Sequence, residues 1–304
     1  MPKKEHFISK QHDSMLSIYQ DRGTIEEAFF THSVLCQTFL PYQNPGDEVR
    51  VWQQKQGKAN LAISPIPVLN PQTNSYEILG IPYGAKARLI LAHINTQAIK
   101  TQSKIIAVED SMTAFIKAMG LGTDGRTIKE VKEQLRRLSA STLSIGFSDG
   151  AKAVQVNFQI VKAFDVWFPK NDSQRVLWPS TVVLSDDYFN SLMEHAIPLD
   201  ERALAALSNN SMAIDIYSWL AQRLHRIPTN APQFVAWQNL KDQFGQNYSR
   251  MDNFKAIFRK TLHKALMQYP MALNTVVEIP NKGFKLSQTQ PPILAKPNIM
   301  ISGK

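Results

Sequence analysis

The chain has 304 residues, a formal net charge of +9 and a pI near 9.5, with 43% apolar and 19% charged residues. That length fits two compact domains or one large one, and that composition excludes global disorder. A single cysteine, Cys36, excludes both an intramolecular disulfide and a zinc site built from several thiolates, and reads as a small buried apolar residue.

The first residues, MPKKEHFISKQHDSM, lack the apolar run of a secretory signal. No uncharged stretch reaches the roughly 18 apolar residues a spanning helix needs, so a cytoplasmic protein without a membrane partner is expected. Within residues 1–81, IEEAFFTHSVLCQTFLPY is apolar enough to pack against another surface, in this chain or in a second copy. VRVWQQKQGKANLAIS then alternates as two strands around Gln56-Gly57, a hairpin suited to the edge of a following sheet. Residues 1–81 are therefore expected as an N-terminal extension that packs on the first domain or on a dimer partner.

From Pro82 the pattern changes. PYGAKARLILAHINTQAIKT predicts a helix of about five turns, KIIAVE a short strand, and Asp110-Ser111 the N-cap of a helix that ends at Gly120. In RTIKEVKEQLRRLSA, Ile128, Val131, Leu135 and Leu138 recur at three and four residues, the buried stripe of an amphipathic helix. TLSIGF and VQVNFQIV follow as strands joined by SDGAK. Asp186-Asp187 is expected to cap a helix over DDYFNSLMEHA, and a boundary falls near Ile197-Pro198.

The block from residue 200 repeats that order. MAIDIYSWLAQRLHRI and QNLKDQFG predict helices on either side of the strand QFVAW, and a longer helix occupies 250–268. The strands NTVVEIP and FKLSQ are joined by NKG, a tight-turn signal. The order helix, strand, helix, turn, helix, hairpin is that of a winged helix. The expected fold is thus α+β: winged-helix domains in tandem over 82–199 and 200–290, and a C-terminal tail over 291–304.

Charge follows the same partition. Residues 82–168 and 200–290 each carry +5, whereas 1–81 carry −1, 169–199 carry −2 and 291–304 carry +2. A helix that enters the major groove needs one face for its own domain and another offering cations and amides to phosphates and base edges. In the second block Arg250, Asn253, Lys255, Arg259, Lys260, His263 and Lys264 form such a face, opposed only by Asp252. Arg250 and Asn253 are the base-reading candidates, because Arg and Asn make bidentate contacts with guanine and adenine. Lys255, Arg259, Lys260 and Lys264 suit phosphates. In the first block Arg126, Thr127, Lys129, Lys132, Arg136 and Arg137 are candidates, but Glu130 and Glu133 are spaced to pair with these cations. Lys152 and Lys282 stand at the two expected hairpin tips.

Catalytic patterns are missing from the sequence. GLGTDGRT and KGFK do not fit a phosphate-binding P-loop, no two of the seven histidines have metal-ligand spacing, and no Ser or Cys is placed to use His263 as a base. Trp167, Trp178, Trp219 and Trp237 sit in apolar patterns and read as core. A non-enzymatic protein without cofactor or metal is expected.

The stretches IPYGAKARLILAHINTQAIKTQSKIIAVEDSMTAFIKAMGL, TDGRT and KEQLRRLSASTLSI together resemble the RepA-type plasmid replication initiators. FLPYQNP with Trp52, and WQNLKDQFG followed by a basic helix ending in YP, fit the same family, so the resemblance runs from about residue 38 to 292. It implies a bacterial initiator that binds double-stranded direct repeats, called iterons, in a plasmid origin, opens adjacent AT-rich DNA and recruits the host helicase and host initiator. It also implies self-association through the first domain, with the dimer repressing its own promoter in copy control and the monomer activating the origin. The same fold and charge fit a winged-helix transcriptional regulator with no role in initiation.

Overall fold

The computed structural model describes residues 12–70, 73–107, 111–148, 151–159 and 181–293. The turn residues Asp149 and Gly150, Asp110, Trp167, Trp178 and the tail from residue 294 lie outside that description. The chain divides into two compact units: one is His32–Ala196, and the other joins the chain before His32 to the chain after Ala196. The division thus differs from the expected boundaries at the N-terminus. Residues 32–81 belong with the first block, while the chain before them belongs with the second.

The fold is α+β. Strand β1 (Ala28–His32) is wholly buried and pairs with β10 (Ala196–Asp200). In the unit His32–Ala196, β2 (Trp52–Gln56) and β3 (Ala59–Pro65) form the expected hairpin, with Gly57 at φ 57° in its turn. The β4 (Val68–Asn70) and β5 (Ser75–Glu77) hairpin follows. Helix α1 (Gly84–Thr101) starts two residues beyond Pro82 and ends on Gln102, whose φ of 51° is left-handed. Next come β6 (Ile105–Ala107), α2 (Met112–Ala118) and α3 (Gly125–Ser139). Ser111 caps α2 by accepting from the Ala114 N–H at 3.2 Å. Asp124 caps α3 by accepting from the Thr127 N–H at 3.1 Å. Strands β7 (Ser141–Ser148) and β8 (Ala153–Gln159) complete an antiparallel sheet of order β2-β3-β7-β8, with Ala59 opposite Phe147 and Ser148 opposite Ala153. Leu61, Ile63, Leu143 and Ile145 bury its inner face.

Strand β9 (Thr181–Val183) pairs with β6. Helix α4 (Asp186–His195) is capped by Ser185, which accepts from the Tyr188 N–H at 3.4 Å. Asp186 and Asp187 occupy its first turn instead of the cap, where their charge suits the helix dipole, and Asp186 pairs with Lys104.

In the other unit, α5 (Glu201–Leu207) and α6 (Ser211–Arg223) lead to β11 (Gln233–Ala236), α7 (Trp237–Phe244) and α8 (Met251–Met267). The hairpin β12 (Val276–Ile279) and β13 (Gly283–Leu286) then joins β11 in a sheet of order β11-β13-β12. The N-terminal chain is tied here by specific bonds. Arg202 donates to the Ser17 hydroxyl at 3.0 Å and the Asp21 carbonyl at 2.9 Å, Arg22 donates to Gln290 at 2.5 Å, and Ile18 is buried. Ile293 is buried as well, so the first residues after Pro291 also belong to this core.

Both units share the order helix, strand, helix, helix, hairpin. They differ in what the short strand does: β11 joins its own hairpin, whereas β6 pairs with β9 and leaves the β7-β8 hairpin to be widened by β2-β3.

Candidate nucleic-acid interface

Helix α8 is held by an aromatic core. Trp237, 3% exposed, meets Phe254, Phe258 and Phe284 edge-on at ring distances of 6.2, 5.8 and 5.2 Å, and Phe244 lies 5.5 Å from Phe258. Such rings supply large apolar area and restrict the helix's rotation, because each edge-to-face contact has a preferred geometry. Phe254, Phe258, Thr261, Leu262, Ala265 and Leu266 are its buried side. The opposite side carries Asn253, Ala256, Ile257, Lys260, His263 and Lys264, all exposed except the half-buried Lys264.

The cations of α8 fall into two sets. Lys260 and Lys264 make no ion pair with a described residue. Arg259 is chelated by Glu278 of β12, with N–O distances of 2.7, 2.9 and 3.1 Å, and its guanidinium sits 5.0 Å over the Trp237 ring. Lys255 is half-buried, its ammonium 5.4 Å over the same ring. Arg250 stands at the N-cap position without a side-chain cap bond and pairs with Asp252. Asn253, Lys260, His263 and Lys264 are therefore the residues of α8 whose polar ends face outward unengaged by described ion partners. Lys282 is exposed in the hairpin turn, where Asn281 has φ 61° and Gly283 φ 152°. A Cβ at Gly283 would come within 2.0 Å of the Val235 carbonyl, so glycine is required for β13 to meet β11.

Helix α3 uses its charges differently. Arg126 donates to Glu130 at 2.8 Å, Thr127 donates its hydroxyl to Asp124 at 2.8 Å, and Arg136 lies 3.6 Å from Glu77. Arg137, expected on the outward face of α3, is instead buried. It donates to Glu133 at 2.6 Å, Asp47 at 3.1 Å and the Ile81 carbonyl at 3.3 Å, and it packs 5.2 Å from the centre of the Tyr83 ring. It is a clamp between α3 and the loop before β2. Lys129 and Lys132 remain exposed without a described ion pair. Lys152 is exposed at the start of β8.

The sequence reading missed Glu278, which engages Arg259. The sequence offered no spacing rule for the pair, since 19 residues and a strand separate its members. It also missed Asp47 and Glu77 as partners of Arg137 and Arg136.

Cys36, Trp219 and Trp237 are buried as expected, and His263 is exposed. Among the described residues no helix is long and apolar enough to cross a membrane, and no cluster of three or more His, Cys, Asp or Glu could hold a metal.

Two crystal structures of domains 2 and 3 of RctB resemble this chain. One, of selenomethionine derivatives, has a TM-score of 0.50 at 10% identity, covering 82% of this chain and 95% of that one. The other has a TM-score of 0.48 at 10% identity, covering 83% and 94%. The first likeness is one of fold alone. No curated protein matches the chain. The family described as plasmid encoded RepA protein matches residues 81–239, from the start of α1 through the first turn of α7 and more than half of the sequence. With that much of both units inside the match, the chain belongs to the plasmid encoded RepA protein family.

Proposed function

We propose that this protein is a plasmid replication initiator that binds double-stranded origin repeats, the iterons, through two winged-helix domains. On this reading α8 and α3 are the recognition helices, and the β12-β13 and β7-β8 hairpins are the wings. The observation that carries it is the outward stripe of α8, where Asn253, Lys260 and Lys264 are presented on a helix fixed by the Trp237 cluster. Asn253 is suited to an adenine edge, while Lys260, Lys264 and Lys282 suit phosphates. Lys129, Lys132, Arg126 and Lys152 form a weaker set in the first unit. Binding is non-catalytic: it opens adjacent DNA and presents the complex to the host helicase and host initiator, and a dimer of the same protein represses its own gene.

Footprinting on DNA flanking the gene tests the reading. The expected result is tandem protected sites in direct repeat at helical-turn spacing. A single palindromic site would support a transcriptional regulator, and replication of an origin fragment in cells lacking the protein would sink the initiator reading. Within the interface, Asn253→Ala should relax preference at one base pair, at about 1–3 kcal/mol. Lys260→Ala with Lys264→Ala should weaken binding to every sequence and lower the salt slope by about 2.

A further inference from the structure

The outer face of the sheet β2-β3-β7-β8 has an unusual makeup. Its register places Gln53, Ala62, Ser144 and Asn157 in one row across all four strands, and Lys55, Asn60, Gly146 and Gln155 in the next. Every one of these residues is exposed or half-buried, while the alternate positions are the core residues Leu61, Ile63, Leu143 and Ile145. The outer rows are therefore amide, hydroxyl, small or cationic, and none of these residues is acidic.

Charge accumulates at one end of this face. The β2-β3 turn and the start of β8 lie together, because Ala59 opposes Phe147, Ser148 opposes Ala153, and the Ser148 N–H donates to the Lys58 carbonyl at 2.9 Å. That end carries Lys55, Lys58 and Lys152, all exposed. Across residues 50–66 and 140–160 the sequence holds four basic residues, Arg50 with these lysines, against one acid, Asp149. Exposed sheet faces ordinarily intersperse both signs of charge. A face with amides and hydroxyls in register, cations at one end and no acid in its rows is complementary to a phosphodiester backbone, which is bound by exactly those donor types in most protein–DNA contacts.

We propose that this face, with Lys55, Lys58 and Lys152 at its hairpin end, is a second DNA-contacting surface that holds the backbone of double-stranded DNA independently of base sequence. It rests on the DNA-binding reading above and adds to it the hairpin β2-β3, which would act as a second wing beside β7-β8. Lysines at the tip supply the charge, and the amide rows supply uncharged donors to phosphate oxygens along the strands.

The test uses the full chain and a duplex of random sequence, with affinity followed by anisotropy across a salt series. Lys55→Gln with Lys58→Gln should lower the salt slope by about 2. Gln53→Glu with Gln155→Glu keeps side-chain shape and adds two negative charges on exposed edge strands, so it should leave the circular dichroism unchanged and weaken binding at least about tenfold at 0.1 M salt. If both pairs bind as the parent does while the Lys260 and Lys264 double variant is weakened, the sheet face is overturned and the α8 interface stands. If the α8 variant also binds as the parent does, the α8 interface fails as well. If the charge variants change sedimentation but not DNA affinity, the face joins copies of the chain and the proposal is overturned.

Discussion

Helices α3 and α8 follow the same run of elements and carry similar numbers of cations, but the acids that engage their arginines come from different places. In α3 the glutamates are spaced four residues from arginines, so Arg126 meets Glu130 and Arg137 meets Glu133 within the helix itself, and Lys129 and Lys132 stay exposed among those acids. In α8 the lone acid of the first turn meets Arg250, and the other partner, Glu278, comes from the hairpin. Lys260 and Lys264 are left facing outward. Equal net charge in two blocks therefore hides a difference in where the acids stand, within the helix for α3 and in the first turn and the hairpin for α8.

The most drastic way to probe this difference is Arg137→Ala. The residue is 6% exposed and its side chain joins α3 to Asp47, Ile81 and Tyr83, so its loss should destabilise the His32–Ala196 unit by about 3 kcal/mol, read from urea unfolding. DNA affinity per folded molecule should not change. A phosphate role for Arg137 would reverse that pattern, with little loss of stability and a smaller salt slope.

The same unit should be acid-labile. His32 is buried against Tyr188 and His195; its Nδ1 accepts from the Val34 N–H at 3.2 Å, which leaves Nε2–H to donate to the Ser191 hydroxyl at 3.0 Å. Burial, reinforced by His195, lowers its pKa to about 3, and burial with Lys100 nearby lowers that of His93 to about 4. Both are below the unfolded value of about 6.5, so the unfolded chain takes up protons first as pH falls. Stability is therefore full above about pH 6.5 and is lost on acidification, by up to about 1.4 kcal/mol per pH unit for each histidine until the folded pKa is reached. Unfolding midpoints that stay level from pH 7 to pH 5 would contradict this burial.

Much of this layout was legible in the sequence because periodicity carries it. The apolar stripe of α3, the glycine at 283 and the alternating strands of both hairpins were all placed without coordinates. What escaped was non-local. Ser17 and Asp21 bond to Arg202 across more than 180 residues, so the N-terminal chain's membership in the second unit left no local pattern. The buried state of Arg137 depends on Asp47, 90 residues upstream, and a basic residue in an amphipathic helix looks the same whether its end meets solvent or a distant carboxylate. The outward face of each helix was thus readable, but not which of its charged ends meet a distant carboxylate.

Two smaller changes sharpen the contrast between the helices. Lys129→Ala with Lys132→Ala removes the exposed cations of α3 that lack a described ion partner, and should lower the salt slope of binding by less than the Lys260 and Lys264 change does, because Glu130 and Glu133 stand among them on the same helix. A change as large as that of the Lys260 and Lys264 variant would place the two helices on an equal footing and remove the distinction drawn from their acids.

The finest adjustment is Glu278→Gln. In the present arrangement Glu278 holds Arg259 on three short contacts beside Trp237, on the flank of α8. Removing its charge should release the guanidinium from one partner and delete a negative charge at the edge of the interface, while the cation stays packed on the ring. Because the pair is partly exposed, stability should fall by only about 0.2–1 kcal/mol. Affinity for DNA should rise a few-fold at low salt, with the gain vanishing as salt screens it. A fall in affinity would mean that Glu278 orients Arg259 toward a phosphate, and Arg259 would then return to the set of DNA contacts alongside Lys260 and Lys264.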